Sequence, residues 1–239
     1  MKKISLVIFD MDGLMFDTSR IAYKGYLKAA KKYGFEVNQD IYNYLTGRNE
    51  QDIIHELTNI YSIANEKAIE WRNEINKYKK SEINRLGRVY KKEGLVDLMK
   101  YFYRTEIKMC IASSSPKELI DLFLEIEDVP NLFYSVYSGG ELKHSKPNPD
   151  IFSNCCKELG IPVDETIVLE DALVGIQAAR DANIDVYWVP DDLSDLPSYE
   201  GTIKANLKII KKDWRKPTKQ FASLKTIEKY LENKDIKNI

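Results

Sequence analysis

The sequence predicts an α/β fold, a doubly wound Rossmann-like parallel sheet core with an inserted all-helical cap domain. Three observations carry this. Apolar runs recur at residues 4–9, 107–112, 135–138, 166–169 and 185–189, and their hydrophobicity is continuous rather than alternating, as in strands buried on both faces. Helical patterns separate the later runs, and strand–helix alternation is how a parallel sheet is built. Residues 18–90, by contrast, offer no good strand candidate.

The elements follow in order. The first run ends in Asp10-Met11-Asp12-Gly13. In the stretch after it, Ala64, Ala68, Trp71, Ile75 and Tyr78 alternate spacings of four and three, which puts them on one packing face of a long helix. The chain leaves the sheet before this stretch and returns after it. The α/β core is therefore assigned to 1–17 and 91–239, and the cap to 18–90. The second run leads into Ser113-Ser114-Ser115, and Ser115-Pro116-Lys117-Glu118 predicts a capping box with proline at the first position of a helix over 116–127. Pro149-Asp150 opens the next helix and Gly160 ends it. The fourth run ends in Glu170-Asp171, and a helix over 172–182 leads to the fifth. Beyond Pro190 the chain is loop-rich, with an edge strand expected at 205–210 and a final helix at 224–231.

Composition narrows the function. The 239 residues suit one large domain or two modest ones. Lys+Arg 36 against Asp+Glu 37 leaves a net charge of −1, which disfavours a dedicated nucleic-acid binder. No apolar run approaches the roughly 18 residues of a membrane span. Cys110, Cys155 and Cys156 are odd in number and two are adjacent, so no disulfide framework is expected and a reducing cytoplasm is the simplest setting. A monomer would suffice.

In open α/β sheets ligands bind beyond the carboxyl ends of the strands. Those ends carry Asp10 and Asp12, Ser113 to Ser115, the loop with Lys146-Pro147, and Glu170-Asp171. Asp10 and Asp12 are two apart, so in extended chain both point the same way. Clustered carboxylates need a cation to stay ionised, and hard oxygen donors suit Mg²⁺. A lysine and a hydroxyl beside such a metal fit an anion with several oxygens, phosphate above all.

These residues resemble a known family. Asp10-Met11-Asp12-Gly13-Leu14-Met15-Phe16-Asp17-Thr18 is similar to the first motif of the haloacid dehalogenase-like hydrolases. Ser113 matches the second, Lys146 in His144-Ser145-Lys146-Pro147-Asn148-Pro149-Asp150 the third, and Glu170-Asp171 with Gly175-Ile176-Gln177-Ala178-Ala179 the fourth. The helical insert looks like the family's small cap. The resemblance implies that Asp10 is a nucleophile forming an aspartyl-phosphate. Asp12 would protonate the leaving oxygen and deprotonate the attacking water. Mg²⁺ would sit on the Asp10 carboxylate, the Asp12 backbone carbonyl and the Asp171 carboxylate, with Glu170 a further ligand or a supporting partner. Ser113, with Ser114 beside it, and Lys146 would hold phosphoryl oxygens. Members that cleave carbon–halogen or carbon–phosphorus bonds lack an aspartate at the Asp12 position, so its presence implies transfer through a departing oxygen.

The substrate implied is a small phosphorylated metabolite, a sugar phosphate or nucleotide. The loop Leu45-Thr46-Gly47-Arg48-Asn49-Glu50 resembles the family's substrate-reading cap loop, making Gly47, Arg48 and Asn49 candidate specificity residues. The alternative is a phosphomutase of the β-phosphoglucomutase type. That branch carries an arginine three residues after the glycine and a histidine early in the cap, where this chain has Glu50 and Ala22. A phospho-acceptor signalling domain is a third reading, disfavoured because such modules carry no helical insert. No GxGxxG follows any strand, which disfavours a nicotinamide cofactor. His55 and His144, the two histidines, are read as structural or surface residues, and Ser115 as a helix cap.

Overall fold

The computed structural model describes residues 3–139 and 144–236. Strands β1 (Leu6–Phe9), β2 (Lys108–Ser113), β3 (Ser135–Ser138), β4 (Thr166–Glu170) and β5 (Asp185–Trp188) fall on the five apolar runs, and a two-residue strand β6 (Lys219–Gln220) closes the edge. All pairs are parallel, in the order β3-β2-β1-β4-β5-β6. Every residue of β1 and β4 is buried, because helices cover both faces. Leu6 and Ile8 pack on one side with Phe152 and Ile176, while Val7 and Phe9 pack on the other with Leu98 and Phe102. The strand order reverses between β1 and β4, and the crevice beyond their carboxyl ends is where such sheets bind ligands.

Between β1 and β2 lie α1 (Thr18–Tyr33), α2 (Gln39–Leu45), α3 (Glu50–Tyr61) and α4 (Asn65–Leu86), followed by α5 (Leu95–Arg104) on the sheet. Of the predicted stripe, Ala68, Trp71 and Ile75 are fully buried, and Phe35 stacks on Trp71 at 4.1 Å between ring centroids. Then come α6 (Lys117–Ile126), α7 (Asp150–Leu159) and α8 (Leu173–Asp181). Gly160 ends α7 in the left-handed region, as expected. The chain's return from α4 to the core is held by Glu127, whose carboxylate accepts from the amides of Val89, Tyr90 and Lys91 at 2.9, 2.9 and 3.3 Å.

Three expectations are corrected. Residues 205–210 are not an edge strand. Asn206 accepts from the amide of Lys208 and starts a short helix, α9 (Leu207–Ile210), while Ala205 and Ile210 bury against the cap. The sheet edge is instead β6, polar and exposed. Ser115 does not cap α6: Pro116 precedes the helix and no side chain caps it, because the Ser115 hydroxyl is used elsewhere. The final helix, α10 (Leu224–Ile236), runs further than 231.

Residues 190–215 form a strap. They leave β5, cross to the cap and return to β6. Ile203 and Tyr199 bridge to Phe35 and Val37, Arg20 binds Asp195, and Leu193 joins the cluster that holds Trp71.

Candidate active site

Lys146 lies at the centre of the crevice. It is 1% exposed, and its ammonium donates to Asp10 Oδ1 at 2.5 Å, Glu170 Oε1 at 2.6 Å and the Ala112 carbonyl at 3.2 Å. Asp10 and Glu170 are themselves 5% and 0% exposed, each at the carboxyl end of its strand. Burial acts against the lysine's charge, but the two carboxylates more than offset it and its pKa is raised. For Asp10, burial is the largest influence and pushes its carboxyl up. Lys146 holds it down, Glu170 and Asp12 add to the rise, and the result is about 8.

Asp171 follows Glu170 and faces the turn after β1. Gly13 has φ +85, and a Cβ there would lie 2.0 Å from Asp171 Oδ2, so only glycine lets the turn and the carboxylate meet. Burial and the neighbouring Glu170, Asp10 and Asp191 raise the Asp171 pKa well above the carboxylate range. Its Oδ1 is buried without a hydrogen-bond partner among the described residues. Carboxylate oxygens of Asp10, Glu170 and Asp171 lie within 4.8 Å of one another. Such a set, with one lysine against three acids, lacks positive charge. Hard oxygen donors and an orphaned carboxylate oxygen fit a divalent cation such as Mg²⁺.

The Asp12 carboxylate is not in that group. It turns toward β2, where Ser115 Oγ donates to its Oδ2 at 2.6 Å. Ser113 Oγ, buried at the end of β2, accepts from the Ser115 amide at 3.1 Å. Asp10, Asp12, Ser113, Lys146, Glu170 and Asp171 are thus brought to one rim.

Ser114 faces the cap instead, donating to the Gly47 carbonyl at 2.7 Å. Gly47 sits at φ +80 so close to the core that a Cβ would lie 2.6 Å from Val174 Cγ2. The cap loop therefore rests on the mouth of the crevice. Arg48 is tied back into the cap, 3.2 Å from the Tyr44 carbonyl and 3.7 Å from Glu56. Asn49 caps α3 through the Asp52 amide. Glu50 is bound by Arg72 through Nε and Nη2 at 2.9 and 2.8 Å, and by Asn76 at 2.7 Å. His144 is exposed.

The sequence did not point to the Ser115–Asp12 bond, to buried Arg72, or to Glu127. Arg72 adjoins Trp71 on α4 and reads as part of a solvated face.

Comparison with known proteins agrees with this geometry. The family model described as haloacid dehalogenase-like hydrolase matches residues 7–189. A phosphorylated carbohydrates phosphatase of Thermotoga maritima is 26% identical over 195 residues, covering 79% of this chain and 87% of the relative. A fructose-1-phosphate phosphatase of Escherichia coli is 28% identical over 186 residues, 75% and 93% of the two chains. The crystal structure of β-phosphoglucomutase from Clostridium difficile superposes with a TM-score of 0.69 at 26% identity, covering 97% of this chain and 96% of the other. With the motifs at the strand ends and helices inserted after β1, the chain is an enzyme of the haloacid dehalogenase-like hydrolase family, in its small helical-cap branch.

Proposed function

We propose that the protein is a Mg²⁺-dependent phosphatase that hydrolyses a small phosphorylated metabolite through an aspartyl-phosphate on Asp10. The observation that carries this is the buried Asp10 carboxylate, held 2.5 Å from Lys146 with Asp12 two residues away. Lys146 and Ser113 bind phosphoryl oxygens and hold phosphorus in line with the Asp10 carboxylate. An Asp10 oxygen attacks phosphorus while Asp12 gives its proton to the leaving oxygen. Asp12 then takes a proton from water, the water oxygen attacks the same phosphorus, and Asp10 and inorganic phosphate are released. Ser115 donates a hydrogen bond to Asp12 and orients its carboxylate. Asp10 and Asp171, with the Asp12 carbonyl that the resemblance implies, would hold Mg²⁺, and Glu170 supports the site through Lys146 and the Ala172 amide at 2.9 Å. Bound there, the ion supplies positive charge against the repulsion between Asp10 and the phosphoryl oxygens.

A phosphomutase would share these steps but must also grip a second phosphate. At the cap-loop position where the mutase branch has an arginine, this chain places Glu50, already bound to Arg72. That observation favours the phosphatase. The test is release of phosphate from an aryl phosphate with Mg²⁺ or EDTA, by wild type and Asp10→Asn, with isomerisation of β-glucose 1-phosphate run beside it. The expected result is Mg²⁺-dependent release that Asp10→Asn abolishes, and no isomerisation. Folded, Mg²⁺-loaded wild type that releases nothing, or that isomerises, overturns the reading.

A further inference from the structure

We propose that Asp52, on the cap, is a positioning residue for the reaction. It acts through Ser145 to set Lys146, so the lysine is held in place only while the cap rests on the core. This goes beyond the phosphatase reading and rests on it for the turnover test.

Asp52 is the third residue of α3, and its backbone is fixed there, because its amide donates to the Asn49 side chain at 2.8 Å. An acid in the first turn of a helix ordinarily stands in water near the free amides. The Asp52 side chain is instead half-buried and accepts from Ser145 Oγ, 93 residues away on the core. No other side chain bonds the Asp52 carboxylate among the described residues. Ser145 is itself 7% exposed, so its end of the bond lies inside the seam between cap and core. On the outer side runs a groove of about 920 Å³, lined by Asp52, Ser145 and Pro147 among others. Water is therefore at hand to replace either partner once the cap lifts. Ser114 makes a second tie to the same cap segment, at the Gly47 carbonyl. The Ser145 tie differs in that the next residue of the chain is Lys146.

An ammonium has three donors, and all three of Lys146 are taken, by Asp10 at 2.5 Å, Glu170 at 2.6 Å and the Ala112 carbonyl at 3.2 Å. Any shift of its backbone loses at least one of them. The turn that carries it is short. On one side it is anchored to α7, since the Asn148 amide donates to the Ser145 carbonyl at 2.9 Å and Asn148 Oδ1 accepts from the Asp150 amide at 2.9 Å. On the other side the anchor is the bond from Ser145 to Asp52. The peptide unit between Ser145 and Lys146 is planar and stiff, so a displacement of Ser145 passes to Lys146. A misplacement of about 1 Å can cost roughly 100-fold in rate.

The experiment measures phosphate release from an aryl phosphate by Mg²⁺-loaded wild type, Asp52→Ala, Asp52→Asn, Ser145→Ala and Asp52→Ala/Ser145→Ala. In each single alanine variant kcat should fall about 10- to 100-fold, with KM within about threefold of wild type. The double variant should be no worse than either single one, because the same contact is removed once. Asp52→Asn keeps an acceptor for the serine hydroxyl and should keep most of kcat. A contact that only seals the cap would raise KM and leave kcat in place. Should Asp52→Ala fail to fold, Ser145→Ala tests the same bond from the core side. Hydrogen exchange read by mass spectrometry, with Mg²⁺ and inorganic phosphate present, follows the same contact without turnover. Asp52→Ala should speed uptake over 145–150 on the core, and Ser145→Ala should speed it over 47–52 on the cap. If wild type releases no phosphate, the phosphatase reading fails while the exchange comparison still judges Asp52. Alanine variants that keep kcat, losses that multiply in the double variant, or uptake over 145–150 that Asp52→Ala leaves unchanged overturn the proposal.

Discussion

Replacing Lys146 with methionine removes the cation that touches both Asp10 and Glu170 while keeping a stem of similar size against Phe152, over whose ring the ammonium lies at 4.9 Å. Two contacts of 2.5 and 2.6 Å are lost between side chains exposed by 7% or less. Three carboxyl groups then face one another in the crevice with no cation among them. Removing one partner of a buried ion pair costs about 3–5 kcal/mol. In a chain of this size each kcal/mol moves Tm by roughly 2–4 °C, so Tm should fall by about 6–20 °C. The assay is thermal unfolding in EDTA, followed by circular dichroism from pH 5.5 to 8. Without the lysine the carboxyls can relieve their repulsion by taking protons, so the gap to wild type should narrow toward pH 5.5. Lys146→Met/Glu170→Gln removes one of the unpaired charges and should recover about half of the loss. A fall below about 3 °C, a gap that ignores pH, or a double variant no better than the single one would refute Lys146 as the counter-charge of the site.

Other outcomes follow from the same geometry. The Asp10 carboxyl stands at about 8 in the folded chain against an ordinary 3.8, so the folded state keeps a proton that the unfolded chain loses. That stabilisation is whole below about pH 4, shrinks as pH rises and is gone above about pH 8. Melting curves in EDTA should therefore show wild type losing Tm from pH 5 to 8 more steeply than Asp10→Asn, and parallel curves would contradict this. Gly47→Ala puts a Cβ 2.6 Å from Val174 and forces alanine into the left-handed region at φ +80. Steady-state kinetics should show KM raised by roughly tenfold as the cap loop lifts from the core, and unchanged KM and kcat would show that the loop does not close the site. At Glu127, burial raises the carboxyl, but the Tyr90, Val89 and Lys91 amides and Arg88 outweigh it and hold the pKa below 4.5. Glu127→Gln should cost about 1–3 kcal/mol at pH 7. Because the folded-state pKa is depressed, that difference should vanish as pH falls through it; a urea titration in which the cost persists in acid would contradict the assignment.

The sheet was legible because its central strands are buried on both faces, and continuous apolar runs such as Leu6–Phe9 have few other uses. The rim was legible for a related reason: Asp10, Glu170 and Lys146 are charged residues beside buried strands, where charge without a purpose is costly. What escaped depended on contacts distant in sequence. Ser115 has the right chemistry for a helix cap, and nothing local reveals Asp12, 103 residues away, as its partner. Residues 205–210 look like a strand by composition, but their apolar side chains answer to the cap rather than the sheet. β6 is two exposed residues paired to β5 through the backbone, with no side-chain pattern to read. Glu127 sits at the end of α6 like any surface acid, and only the fold brings the returning chain to it.

The strap gives the cap a particular order of assembly. On the ribosome, α1 to α4 emerge first, and they can pair Phe35 with Trp71 at once. The side chains that finish their apolar cluster, Leu193, Ala205 and Ile210, are made about a hundred residues later, after most of the sheet. Until then the nascent cap keeps an unfinished apolar side and an unpaired backbone edge at Phe35 and Val37, the kind of surface that holds chaperones or finds a wrong neighbour. An early insert in the gene is thus a late element of the folded enzyme. A chain cut after residue 190 would carry every residue of the catalytic rim under a cap whose apolar cluster is still unclosed.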